Sequence, residues 1–128
     1  MKNSVLLFRG LIAVHLVWTF LLTPLALEPR SFSVITPIGY ASLVVIFSIV
    51  ALDIVALIIA GRNPRLAGLI AAVGPFLLVG PVIADQVGLF ATVPPPPVIT
   101  ILEFLALATQ IALFFVALRL RRQTAAAT

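Results

Sequence analysis

Four long apolar stretches, each carrying only one or two charged residues, occupy most of this chain. They run over about 4–27, 37–60, 66–90 and 98–120. About 20 apolar residues are needed to cross the hydrocarbon of a bilayer, and each stretch is long enough. The runs are continuous rather than alternating, so helices are predicted and a β-barrel is not. Short connections join them, which leaves no room for a domain outside the membrane. The predicted fold is an all-α integral membrane protein, an antiparallel four-helix transmembrane bundle in up-down-up-down order.

Local signals mark the ends of these helices. Gly61-Arg62-Asn63-Pro64 reads as a helix stop followed by a turn. Pro37 fits the first turn of the second helix. Tyr40 fits an anchor at the membrane interface, and Trp18 falls in the same half. The four prolines 94–97 predict a polyproline segment about 12 Å long without amide donors. It serves as a stiff spacer between helices three and four, or as a docking motif for a partner. The first stretch is longer than a signal-peptide core, is interrupted by Arg9, and is followed by no small-x-small cleavage site, so it is expected to remain part of the protein.

Composition agrees with the pattern. The 128 residues are 62% hydrophobic and 9% charged, with a mean hydropathy of +1.28. Soluble domains average about 25% charged residues. A water-soluble fold of this composition would expose large apolar patches, so the lipid bilayer is the expected solvent. The length allows one domain, 1–128, with a short disordered tail over 123–128. With no cysteine there is no disulfide or thiolate chemistry.

The net charge of +4 does not point to nucleic acid, because the basic residues lie at the ends of the apolar stretches. Lys2, Arg9, Arg62, Arg65, Arg119, Arg121 and Arg122 fall on one side, and only Arg30 falls on the other, beside Glu28. That bias predicts both termini in the cytoplasm. Seven Arg against one Lys fits a GC-rich bacterial genome, hence a bacterial plasma (inner) membrane.

The halves of the chain echo each other. Gly10-Leu11-Ile12-Ala13 recurs as Gly68-Leu69-Ile70-Ala71, and Val34-Ile35-Thr36 as Val98-Ile99-Thr100. Uneven spacing and the small alphabet of apolar chains weaken the match. A true duplication would give two tandem helical hairpins, about 1–62 and 63–122, as in some small transporters.

The candidate chemistry lies in the polar residues inside the spans. A charge at the centre of a membrane helix costs about 2.5–3.5 kcal/mol on insertion scales, so such residues face a bundle interior, a cavity or a partner. His15 and Asp53 fall at matched depth near the midplane of helices one and two. Asp85 and Glu103 fall at matched depth about 7–8 Å inside the outer ends of helices three and four. Two carboxylates sharing one site cannot both ionise cheaply, so that pair could hold a proton or a cation. Gln110 shares a face with Glu103. Turned inward, these faces predict a polar seam from Asp85 and Glu103 through Gln110 to His15 and Asp53. Arg9 competes with His15 as the partner of Asp53 in a structural ion pair. The bland readings are interhelical hydrogen bonds for His15 and Gln110, a snorkelling topology residue for Arg9, and helix ends reaching the headgroups for Asp85 and Glu103.

No phosphate loop, nucleotide motif, zinc motif or nucleophile elbow occurs, and one histidine cannot supply two axial haem ligands. No enzyme activity, metal or cofactor is expected. Size and layout are similar to small multidrug transporters and to DoxX-like membrane proteins. No motif carries either likeness, and His15 stands where the former family would have a carboxylate. Two function classes stay open. One is an accessory or structural membrane protein acting through helix contacts in a homo-oligomer or larger complex. The other is a small transporter or binding protein for protons, cations or a cationic apolar solute, using Asp53, His15, Asp85, Glu103 and Gln110.

Overall fold

The computed structural model describes residues 1–127, and its long elements are helices. Helix α1 spans Lys2–Leu21, α2 Pro37–Ile59, α3 Pro64–Ala71, α4 Gly74–Gln86 and α5 Pro97–Ala126, with a 3-10 turn at Phe32–Val34. With α3 and α4 taken as one interrupted span, the fold has four helices long and apolar enough to cross a membrane. Successive spans run antiparallel. The start of α1, the turn between α2 and α3, and the end of α5 gather at one end, called here the terminal end. The connections 22–36 and 87–96 meet at the far end, where Ile35 and Ala91 form an antiparallel bridge.

The helix boundaries follow from prolines and caps. Pro24 removes a donor and its ring opposes the carbonyl four residues back, so α1 stops at Leu21, short of the predicted 27. Thr36 caps α2 by accepting from Gly39 N–H at 3.0 Å, with Pro37 in the first turn. Asn63 caps α3 by accepting from Leu66 N–H at 3.1 Å, followed by Pro64. Helix α4 ends at Gln86, not at 90. There Gly88 adopts φ +77°, and Leu89 and Gly88 N–H return to Ala84 and Asp85 carbonyls at 2.8 and 3.2 Å. Pro97 begins α5 rather than ending the proline spacer. At the other end α5 continues to Ala126, into the 123–128 segment predicted as a disordered tail, whose last residue lies outside the described residues. Gln123, Ala125 and Ala126 are good helix formers and no breaker intervenes.

The largest departure is in the third span, predicted as one helix. It breaks at Ala72 and Val73. Pro75 cannot donate to the Ala71 carbonyl and its ring crowds that group. The break lies at mid-span.

The bundle is inside-out relative to a soluble protein. Leu6, Val44, Ile58, Phe76, Ile101 and Phe115 are exposed on its outer surface, whereas His15, Arg30, Ser42, Asp53, Asp85 and Gln110 are buried. In water that surface would aggregate; in lipid it costs nothing. The arrangement therefore points to a membrane location. Inside, Phe8, Ile12, Ala56, Ala60, Ala67, Ala71, Leu113, Ala117 and Leu120 form an apolar cluster toward the terminal end. Its many alanines let backbones approach closely, and Gly68 packs against the Ala117 carbonyl. A second cluster, Ile49, Leu78, Val82 and Ala106, lies toward the far end. Helix α1 packs mainly on α5 and only lightly on α2, so the first predicted hairpin is not a packing unit. The two Gly-Leu-Ile-Ala segments also differ in setting, since Gly10 faces open space.

Candidate functional site

Two polar layers sit inside the bundle. The deep layer joins α1, α2 and α5 between the two apolar clusters. His15 Nδ1 lies 2.7 Å from Asp53 Oδ2, and Gln110 Nε2 donates to the same oxygen at 3.0 Å. His15 and Asp53 are 1% exposed and Gln110 is 0% exposed, so lipid and water are both excluded. An ionised Asp53 only accepts, which assigns the Nδ1 proton to His15. Gln110 Nε2 also stands 3.0 Å from His15 Nδ1, but its proton is directed at the carboxylate. Among the described residues, three buried atoms here, His15 Nε2, Asp53 Oδ1 and Gln110 Oε1, have no partner.

The break in the third span makes room for this layer. A Cβ built on Gly74 would lie 2.3 Å from Gln110 Oε1. Gly74→Ala is therefore expected to push the amide off Asp53 and to destabilise the protein by about 1–3 kcal/mol, despite the better helix propensity of alanine. Thermal unfolding in detergent reads the effect. Adding Gln110→Ala should recover part of the loss, and a stable Gly74→Ala single variant would refute the steric argument.

The far layer is ionic. Arg30 Nη1 and Nη2 donate to Asp85 Oδ1 and Oδ2 at 2.6 and 2.7 Å. Its Nε and Nη2 donate to Glu28 Oε1 and Oε2, both at 2.9 Å. With a longer contact to the Val93 carbonyl at 3.4 Å, all five guanidinium protons are engaged. The Phe90 ring packs 5.4 Å from the guanidinium. Hydrogen bonding from Asp85 raises the Arg30 pKa above its already high ordinary value against the opposing effect of burial, and Glu28 adds to the rise. Arg30 thus ties the connection 22–36 to α4 and to the connection 87–96. Next to it, Gln86 Nε2 donates to Glu103 Oε2 at 2.6 Å.

A cavity of about 220 Å³ opens at this end. Leu43, Ile46, Phe47, Leu78, Val82 and Ile99 form apolar walls, and Glu28, Arg30, Asp85 and Glu103 supply its charged groups.

The structure brings together His15, Asp53 and Gln110, and separately places Asp85 and Glu103 on one cavity. It does not join the two groups into a seam. Leu78, Val82 and Ala106 separate them, because on α5 a full apolar turn stands between Glu103 and Gln110. Nor does Arg9 pair with Asp53. It lies about 9 Å nearer the terminal end than His15 and its guanidinium turns to Gly61. Asp85 lies beside Glu103, and Arg30 joins them through its two-pronged contact with Asp85. Thr19, Thr23 and Ser42 bond to carbonyls of their own helical turns and add nothing to either layer. Arg30, Glu28 and Gln86 escaped the sequence reading. The available signal was that Asp85 needed a countercharge, and Arg30 is the one basic residue at that end of the spans.

No family model, no curated protein and no solved structure matches this chain.

Proposed function

We propose that the chain is an integral protein of a bacterial plasma membrane, with both termini cytoplasmic, that binds a small, largely apolar cation in the far-end cavity. The observation that carries this reading is the cavity itself. Its walls are apolar and its polar groups few, the usual composition of a small-molecule site. Those groups are three carboxyls against one guanidinium, an excess of negative charge when ionised. Arg30 already engages Asp85 and Glu28, so Glu103, which lies beside Asp85 and accepts from the Gln86 amide, is the group assigned as counter-ion for a ligand. The layer of Leu78, Val82 and Ala106 closes the cavity below. Movement of a bound cation across the membrane would require that layer to part, and the break at Ala72 and Val73 is the natural hinge.

The test uses tetraethylammonium as the probe, titrated calorimetrically against the full chain in mild detergent. Glu103→Gln should weaken binding about tenfold, equivalent to about 1.4 kcal/mol. Equal binding by the two proteins overturns the proposal.

A second reading is an accessory protein acting through helix contacts in a homo-oligomer or larger membrane complex. It is favoured by the pairing of Asp53 and Asp85 within the same chain, which leaves neither acid in need of a ligand. Absence of probe binding, together with an oligomer or co-purifying subunit in native mass spectrometry, would select it.

A further inference from the structure

The terminal end holds a second, larger cavity, about 710 Å³, within the range of about 300–1,000 Å³ common for ligand sites. It lies between the start of α1, the turn after α2 and the end of α5. Lys2, Arg9 and Arg62 line it with Asn3 and Thr124, and among the described residues its lining contains no carboxylate. Among the described residues, none of these three cations makes an ion pair; the ion pairs of the protein are those of His15 and Arg30.

Arg9 distinguishes this cavity from a mere band of surface charge. It stands two turns inside α1, and its Nε is buried without a partner among the described residues. Its guanidinium is directed across to the turn after α2, where a Cβ on Gly61 would lie 2.9 Å from Nη2. A topology residue would extend its charge into water. This one is held over a cavity beside two further cations, and Asp53, the carboxylate of α2, lies about 12 Å back along that helix and is already bonded.

We infer that this cavity is a binding site for a phosphate-bearing anion, built by Arg9 and Arg62 with Lys2. The planar fork of an arginine matches phosphate oxygens in pairs, and Lys2 adds a point charge. Basic pockets between spans at the membrane surface hold phosphate headgroups by this chemistry. Val5, Leu6 and Ala60 in the same lining give acyl or glycerol carbons a surface. The inference is independent of the far-end cavity.

Native mass spectrometry of the full chain in mild detergent tests it, with three probes: phosphatidylglycerol, phosphatidylcholine and inorganic phosphate. Phosphatidylglycerol should be retained in preference to phosphatidylcholine. Arg9→Gln and Arg62→Gln should each reduce retention about tenfold, the loss carried by one charge-assisted contact. Arg62 lies in a turn, so its variant tests the site even if Arg9→Gln folds poorly. Arg119→Gln, exposed at the same end but outside the cavity, should change nothing. Binding of inorganic phosphate that displaces the lipid, and is lost in the same variants, identifies free phosphate as the source. Lipid retention unaffected by phosphate identifies a headgroup. Binding of neither anion, no preference over phosphatidylcholine, or equal loss in Arg119→Gln overturns the site.

Discussion

Asp53→Ala is expected to destabilise the protein by about 2–6 kcal/mol, because two buried donors lose their common acceptor at about 1–3 kcal/mol each. The carboxylate is the common acceptor for His15 and Gln110, both wholly enclosed. Its loss leaves two buried donors without a partner in addition to His15 Nε2 and Gln110 Oε1, which are unpaired among the described residues. Asp53→Asn should cost less, about 1–2 kcal/mol, because the amide oxygen still accepts while its nitrogen takes the place of Oδ1. Thermal unfolding in detergent measures both. A double-mutant cycle with His15→Ala should give a coupling of about 1–3 kcal/mol, as expected of directly bonded groups. An Asp53→Ala protein within about 0.5 kcal/mol of the parent, the level of an ordinary surface change, would remove the deep layer as a structural element.

Arg30→Ala carries the second large effect, about 3 kcal/mol. It frees Asp85, which is buried, and unties the two far-end connections from α4 at once. Limited proteolysis should then cut within 22–36, where the parent resists. The clamp is also expected to be indifferent to alkaline pH. Because the folded-state pKa of Arg30 is raised, its stabilising contribution is fully present below the ordinary arginine value. It is lost only as pH rises through the still higher folded value. Alkaline titration from neutral pH to about 11 should therefore leave far-end proteolysis unchanged. Cleavage at 22–36 in the parent at neutral pH would refute the clamp.

The two layers differ in how far they could be read in advance. The matched depth of His15 and Asp53 follows from residue counting, because helical rise is constant. Gln110 follows from the face it shares with Glu103. The seam joining them to Asp85 did not follow, because shared faces say nothing about what fills the turns between. Leu78, Val82 and Ala106 close that gap only once α4 and α5 are packed. Arg30 was visible as an isolated charge beside Glu28. Its second carboxylate is 55 residues away, and nothing local encodes that contact. The break at Ala72 and Val73 was signalled by Pro75, but membrane helices tolerate proline, so the residue alone does not decide between a kink and a break.

The sequence by itself determined the four apolar spans, their approximate ends and the placement of charge along each, because these depend on hydropathy, proline and helical rise within one segment. The tertiary structure alone decided which polar groups meet, which are separated by an apolar layer, and where cavities remain. Those outcomes depend on the relative rotation of neighbouring helices, and that rotation is set by close packing of small residues such as Ala56, Ala67, Gly68 and Ala117 rather than by any single helix.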